Sequence, residues 1–214
     1  MAPGLSCARA ARLGLLARGG LLTFVALVAL EHPLRSDLPA PDHFISEYAS
    51  GSTYPIAILA FLAWGIGMAA TAVLAWRQGL RAVGLLLAVA ALGTCVAAAF
   101  ATQTVAGVLP PGAVRTTAGR LHDLGTLAIF VGLLGAALWG LRHLRTRRYR
   151  LGLLACAGAL VAAPGILVAA GLDWPGIGQR AIVLVGVALG WLLVSELERF
   201  RATRARRTPA RATG

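Results

Sequence analysis

The 214-residue chain contains no lysine and no asparagine. Without asparagine there is no acceptor for N-glycosylation. Every one of the 20 basic residues is therefore an arginine, a uniformity we read as codon bias and not as arginine chosen at each site for its planar fork. Charge of any sign is scarce, at 13 % of residues, about half of what a soluble domain carries. Acids are scarcer still, only 8 against the 20 arginines. The three cysteines, Cys7, Cys95 and Cys156, form no CxxC pair and no metal-ligand spacing, so neither a disulfide nor a zinc site is expected. Four histidines, His32, His43, His122 and His143, include no pair placed on facing helices at one depth, which argues against haem. No cofactor and no metal is implied.

What fills the chain instead is apolar, with 58 % hydrophobic residues and a mean hydropathy of +0.76. A net charge of +12 would suggest nucleic acid as the partner of a soluble protein. Here the arginines stand at the ends of apolar runs, so no nucleic-acid partner is expected and membrane lipids are. Crossing a hydrocarbon layer takes about 20 apolar helical residues. Six runs approach that length, over residues 13–30, 54–76, 83–108, 119–141, 151–172 and 178–197. The pattern predicts an all-α, polytopic integral membrane protein built as a six-transmembrane-helix bundle.

Arginine position sets the expected orientation. Sixteen of the 20 lie near the N-terminus (Arg9, Arg12 and Arg18), at 77–81, at 142–150 and beyond 198, while Arg35, Arg115, Arg120 and Arg180 occupy the opposite side. By the positive-inside rule both termini are cytoplasmic, and a plasma-membrane location is expected. Six of the acids, Glu31, Asp37, Asp42, Glu47, Asp123 and Asp173, fall on the outer side. The first run could pass for a signal peptide, but VALVALEHPL offers no small-x-small cleavage site. The resulting plan is a short N-terminal tail (1–12), a membrane domain (13–198) with one long outer loop (31–53), and a basic disordered tail (199–214).

The middles of the six runs carry no ionisable side chain apart from cysteine, which leaves a pump or proton relay without stepping stones. Polar residues gather instead where the even-numbered helices begin. Ser46 and Glu47 precede the second helix; Thr116, Thr117, Arg120, His122 and Asp123 open the fourth; Asp173, Gln179 and Arg180 open the sixth. Capping of free N–H groups and snorkelling of arginines would account for this layer in structural terms. A site would require His122 to face inward and meet Glu47 or Arg180 across the bundle. Small residues read as packing signals: Gly186 and Gly190 in the sixth helix, and Gly125, Gly132 and Ala136 in the fourth.

Three pieces, HFISEYASG, GRLHDLGTLAIFVGLL and GIGQRAIVLVGVALGWLL, resemble the bacterial six-helix membrane family catalogued as domain of unknown function 998. More distantly they are similar to the Frag/DRAM/Sfk-type membrane proteins. The resemblance covers about residues 15 to 198 and marks Ser46 with Glu47, His122 with Asp123, and Arg180. It implies no established activity. Gln179 stands where many relatives carry an acid, so an ion pair there is in doubt.

Residue types and resemblance together lead to one expectation and two rivals. The expectation is an outer-leaflet polar pocket of Ser46, Glu47, Arg120, His122, Asp123 and Arg180 that binds a lipid head group or small polar ligand. One rival is a membrane-embedded hydrolase or lipid-modifying enzyme with His122 as general base and Ser46 as nucleophile. The other is a structural or accessory subunit whose polar layer caps helices.

Overall fold

The computed structural model describes residues 7–170 and 174–207, with backbone alone at 7, 161, 163–165, 167, 168 and 204–207. Six helices follow in order: α1 Cys7–Leu34, α2 Tyr54–Arg77, α3 Arg81–Ala99, α4 Thr117–Gly140, α5 Arg147–Ala169 and α6 Pro175–Arg207. Among the described residues there is no strand, only an isolated bridge between Val105 and Val108. Five of the helices, α1, α2, α3, α4 and α6, are long and apolar enough to cross a membrane. The 23-residue α5 holds most of the uncharged run that starts at Leu151. Asp173 lies outside the described residues.

Local chemistry explains where the helices begin. Proline stands in the first turn of α2, as Pro55, and opens α6, as Pro175, where its missing N–H costs nothing. The Thr116 hydroxyl accepts from Gly119 N at 3.2 Å and caps α4, and the Thr146 hydroxyl accepts from Tyr149 N at 3.1 Å and caps α5. At its far end α6 runs on to Arg207, past the boundary at 198 read from the sequence, because RATRARR contains no glycine or proline to stop a helix. The opposite holds for α3. It ends at Ala99, well short of 108, and Phe100 turns extended at φ −120°, ψ 123°.

Helices α1 to α4 pack in chain order, each on the next; α6 lies across α1, α2 and α4, and α5 rests mainly on α6. Arg18 of α1 grips Glu198 of α6 through two hydrogen bonds, 2.9 and 2.6 Å long. This pair places both described chain ends at one end of the bundle, called here the terminal end. The loops 35–53 and 100–116 form the other, the loop end.

Large apolar side chains such as Leu22, Ile66, Leu92, Leu127 and Leu184 are exposed, a liability in water but the expected lipid-facing surface of a membrane bundle. Inside, small residues bring helices close. A Cβ on Gly93 would stand 2.6 Å from the Gly125 carbonyl oxygen, and one on Gly132 would stand 2.5 Å from that of Leu86, so α3 and α4 touch backbone to backbone. Gly20 and Gly67 do the same for α1 and α2. The α6 pair acts differently: Gly186 faces Trp64, Phe130 and Leu133 side chains, and Gly190 faces Leu21. These glycines make room for bulk. Trp64, stacked on Phe24 at 4.5 Å and edge-on to Phe130 at 6.4 Å, fills that room at the centre of the core.

Substitution of these glycines should separate close packing from mere presence in a helix. Gly93→Ala is expected to cost about 1–3 kcal/mol of stability through overpacking. Gly19→Ala, whose Cβ meets nothing within 4 Å, is expected to be neutral or to gain up to about 1 kcal/mol from helix propensity. Melting temperatures of the two variants in detergent check this, and equal values would contradict it.

Candidate functional site

Arg180 sits in the second turn of α6 and folds back over the first. Its Nη1 donates to the carbonyls of His43 (2.7 Å), Ala40 (2.8 Å) and Gly176 (3.0 Å). Nη2 donates to the Tyr48 phenol oxygen at 2.8 Å, and Nε to His32 Nε2 at 3.0 Å. The other ring nitrogen of His32 lies 2.7 Å from the Val28 carbonyl. A carbonyl only accepts and a guanidinium only donates, so this geometry assigns His32 the proton on Nδ1. Tyr48 is buried, packs edge-on to His32, and passes its own proton to the Leu38 carbonyl at 3.1 Å. Burial pushes the Tyr48 phenol above its ordinary range, with Arg180 pulling the other way.

The loop that Arg180 holds also finishes α6. Gly176 N donates to the Pro41 carbonyl at 2.9 Å, supplying an acceptor to the first turn. Only glycine fits there, since a Cβ would meet the Ala40 carbonyl oxygen at 2.3 Å. Gln179 takes the Ile45 N–H at 2.6 Å through its side-chain oxygen, a role an acid could also fill. A second arginine closes the loop on itself: Arg35 donates to the Ser50 carbonyl at 2.8 Å and pairs with Asp37 at 2.9 Å. That pairing raises the Arg35 guanidinium and lowers the Asp37 carboxyl from their ordinary values.

Glu47, 5 % exposed, joins this loop to the α3–α4 connection. Its carboxylate accepts from His43 Nδ1 (2.7 Å), Gly107 N (2.9 Å), Ala106 N (3.0 Å) and the Thr104 hydroxyl (3.1 Å). Ala106 and Gly107 occupy the two middle positions of the Val105–Val108 turn with φ of 50° and 77°. Such a turn points successive N–H groups to one side and makes a nest for an anion. Here the anion is Glu47. Gly107 is doubly constrained, because a Cβ would also meet Phe44 Cζ at 2.8 Å.

His122 does face inward, 4 % exposed, but toward α3. Its Nδ1 lies 2.7 Å from the Phe100 carbonyl and 3.1 Å from that of Ala97, so it caps the C-terminus of α3. Asp123 pairs with Arg115 at the surface, and Arg120 is exposed. Ser46 is buried and hydrogen-bonded to no histidine; its carbonyl accepts from Ala49 N at 3.2 Å.

The six residues read from the sequence therefore do not converge on one pocket. Glu47 and Arg180 belong to one interlocked set, joined through His43 and Tyr48; His122 belongs to a neighbouring one; Arg120 and Asp123 face outward. Two physical reasons account for the difference. Successive helical residues point about 100° apart, so positions 120, 122 and 123 cannot all look into the bundle. The early end of α3 also leaves bare carbonyls at the depth of His122, which take its proton.

His32, His43 and Tyr48 are not among the site residues that the sequence suggests. His43 carried a usable signal in its four-residue spacing from Glu47; the partners of His32 and Tyr48 come from 148 and 132 positions away and carried none. Glu31, at the loop end of α1, stands out in the sequence only as one of the six acids assigned to that side. It is 0 % exposed and neither carboxylate oxygen has a hydrogen-bond partner among the described residues.

No curated protein and no solved structure matches this chain. A family model described as "Protein of unknown function (DUF998)" matches residues 19–196, a stretch that takes in α2 to α5 whole, most of α1 and α6 and every residue of the polar layer, and the chain belongs to that family.

Proposed function

We propose that this is a multi-pass plasma-membrane protein, its terminal end in the cytoplasm, in which the polar layer of the outer face acts as a latch and not as a catalytic or ligand pocket. The observation that carries this reading is saturation. Glu47 already accepts four hydrogen bonds and Arg180 already makes five contacts, three of them shared by the two N–H groups of Nη1, all to groups of the protein itself. A lipid head group or small polar ligand would have to break these contacts before making its own. The hydrolase reading needs a base within reach of a nucleophile. His122 gives its Nδ1 to backbone carbonyls, and Ser46 bonds no histidine. Of the three readings, a structural or accessory role fits this geometry best: the latch ties α1, both outer loops and α6 into one lid.

A latch and a ligand site make opposite demands on variants. Arg180→Gln and Glu47→Gln are each expected to lower stability in detergent by about 3 kcal/mol, because buried partners lose a charged hydrogen-bond network. Glu31→Met is expected to hold or raise the melting temperature, since it removes a buried carboxylate that has no partner among the described residues. Normal melting of Arg180→Gln would overturn the latch and return the layer to a binding role.

Orientation is checked separately. Reporter fusions after Gly112 and after Arg145 are expected to read outside and inside respectively. The reverse pattern would invert the protein, and a shared location would remove one crossing between α3 and α5.

A further inference from the structure

Three concave surfaces lie at the terminal end of the molecule, away from the latch. Between α5 and α6 runs a groove of about 620 Å³, with Arg147 and Arg148 at its mouth and Leu151, Gly152, Ala155 and Leu192 as its wall. Sharing Arg148 with it is a hollow of about 420 Å³ lined by Arg18, Ser195, Glu198 and Arg199. We infer that this α5–α6 groove binds an anionic phospholipid, its phosphate on Arg147 and Arg148 and an acyl chain along the apolar wall.

Charge supports an anion. Arg147 and Arg148 are exposed and make no hydrogen bond or ion pair among the described residues. The acids nearby are already engaged: Glu198 takes both hydrogen bonds of Arg18, and Glu196 accepts from Thr146 at 2.7 Å and from Arg199 at 3.4 Å. The surplus is thus positive, and no free carboxylate remains in the groove to receive the ammonium of a zwitterionic head group. Arginine also suits a phosphodiester, whose two free oxygens match its paired N–H groups.

Shape supports a lipid over a free phosphate. The wall descends two turns of α5 from the arginines, from Leu151 to Ala155, and is wholly aliphatic. A dissolved anion would make no use of it. Close contact of Gly152 with Leu192, where a Cβ would stand 2.9 Å from Cδ2, keeps the floor shallow. Because α5 packs mainly on α6, its other faces are open to the bilayer and a lipid can enter from the side. Basic recesses between helices at the cytoplasmic face are a known form of head-group site.

The test uses the full chain, purified in neutral detergent, with lipid binding read by native mass spectrometry and by thermal shift on adding phosphatidylglycerol, phosphatidylcholine or inorganic phosphate. Phosphatidylglycerol is expected to bind and stabilise, and the other two are not. The double variant Arg147→Gln/Arg148→Gln is expected to lose about tenfold or more in phosphatidylglycerol affinity. Arg77→Gln/Arg81→Gln removes the same charge from the same end of the bundle, outside the groove, and is expected to change affinity by less than about twofold. Ala155→Trp fills the wall without altering charge and should also weaken binding. Equal losses in the two arginine pairs would reduce the effect to general electrostatics and overturn the site. Stabilisation by inorganic phosphate equal to that by the lipid, or unchanged binding in Ala155→Trp, would overturn the lipid as its occupant. Unshifted melting of the ligand-free variants confirms that each is folded.

Discussion

Where a helix ends near lipid, its last carbonyls and first amides need partners from the protein, since hydrocarbon supplies none and each bare group costs several kcal/mol. Most of the loop end follows from this constraint. The Pro41 carbonyl accepts from the first turn of α6, the Thr116 hydroxyl from that of α4, and His122 returns a proton to the last carbonyls of α3. Gln103 reaches across to accept from Thr116 N at 2.7 Å, so the α3–α4 connection is pinned at the start of the very helix it leads into. Once loops are drawn down to serve the helix ends, charged residues can bridge one loop to another. Glu47 and Arg180 do so with partners spread from position 32 to position 176.

The two ends of the bundle solve opposite problems. At the loop end, the two charges of the latch, Glu47 and Arg180, are largely withdrawn from solvent and surrounded by protein groups that accept from them or donate to them. At the terminal end, charges are many and exposed. Water or lipid phosphate can complete them, and Arg18 with Glu198 is a pair held between α1 and α6 beside Trp191, over which the guanidinium lies at 5.5 Å. Saturation at one end and surplus at the other give the molecule its polarity. The same contrast governs what residue types suggest: a dense set of polar side chains reads as chemistry, whereas arginines beside a span read as topology.

The helices were legible because their signal is local. Composition, run length and the placing of arginines settle each span within its own twenty or so residues, and Thr116 and Pro175 announce their helices from a single position. The end of α3 was not legible. Residues 100–108 are mostly uncharged and would serve a helix, and the chain leaves it there for the sake of the Val105–Val108 turn, whose amides serve Glu47 some sixty positions earlier. With α3 drawn too long, His122 was assigned partners across the bundle in place of the carbonyls beside it. Glycine was legible by position but not by purpose. Gly125 packs on backbone as a small-residue face should, while Gly186 yields space to Trp64, a difference fixed by what stands opposite and not by the GxxxG spacing.

Glu31 and Glu47 show how far side-chain identity underdetermines role. Both are glutamates near the loop end, both are buried, and neither forms an ion pair with an arginine among the described residues. Glu47 reaches from the short helical turn at 45–48 into the Val105–Val108 turn, whose backbone curls around its carboxylate; Glu31 lies on a helix whose own amides are already spent on the helical ladder, so its carboxylate must look elsewhere. The nearest guanidinium on its own strand of sequence, Arg35, is committed to Asp37 and to the carbonyls of the loop. A carboxylate on a regular helix can be satisfied only by another element, whereas one beside a left-handed turn is satisfied by the main chain itself. That is why the buried acid held by the nest can anchor two loops, and why the one on α1 contributes no tie to the latch despite standing at its base.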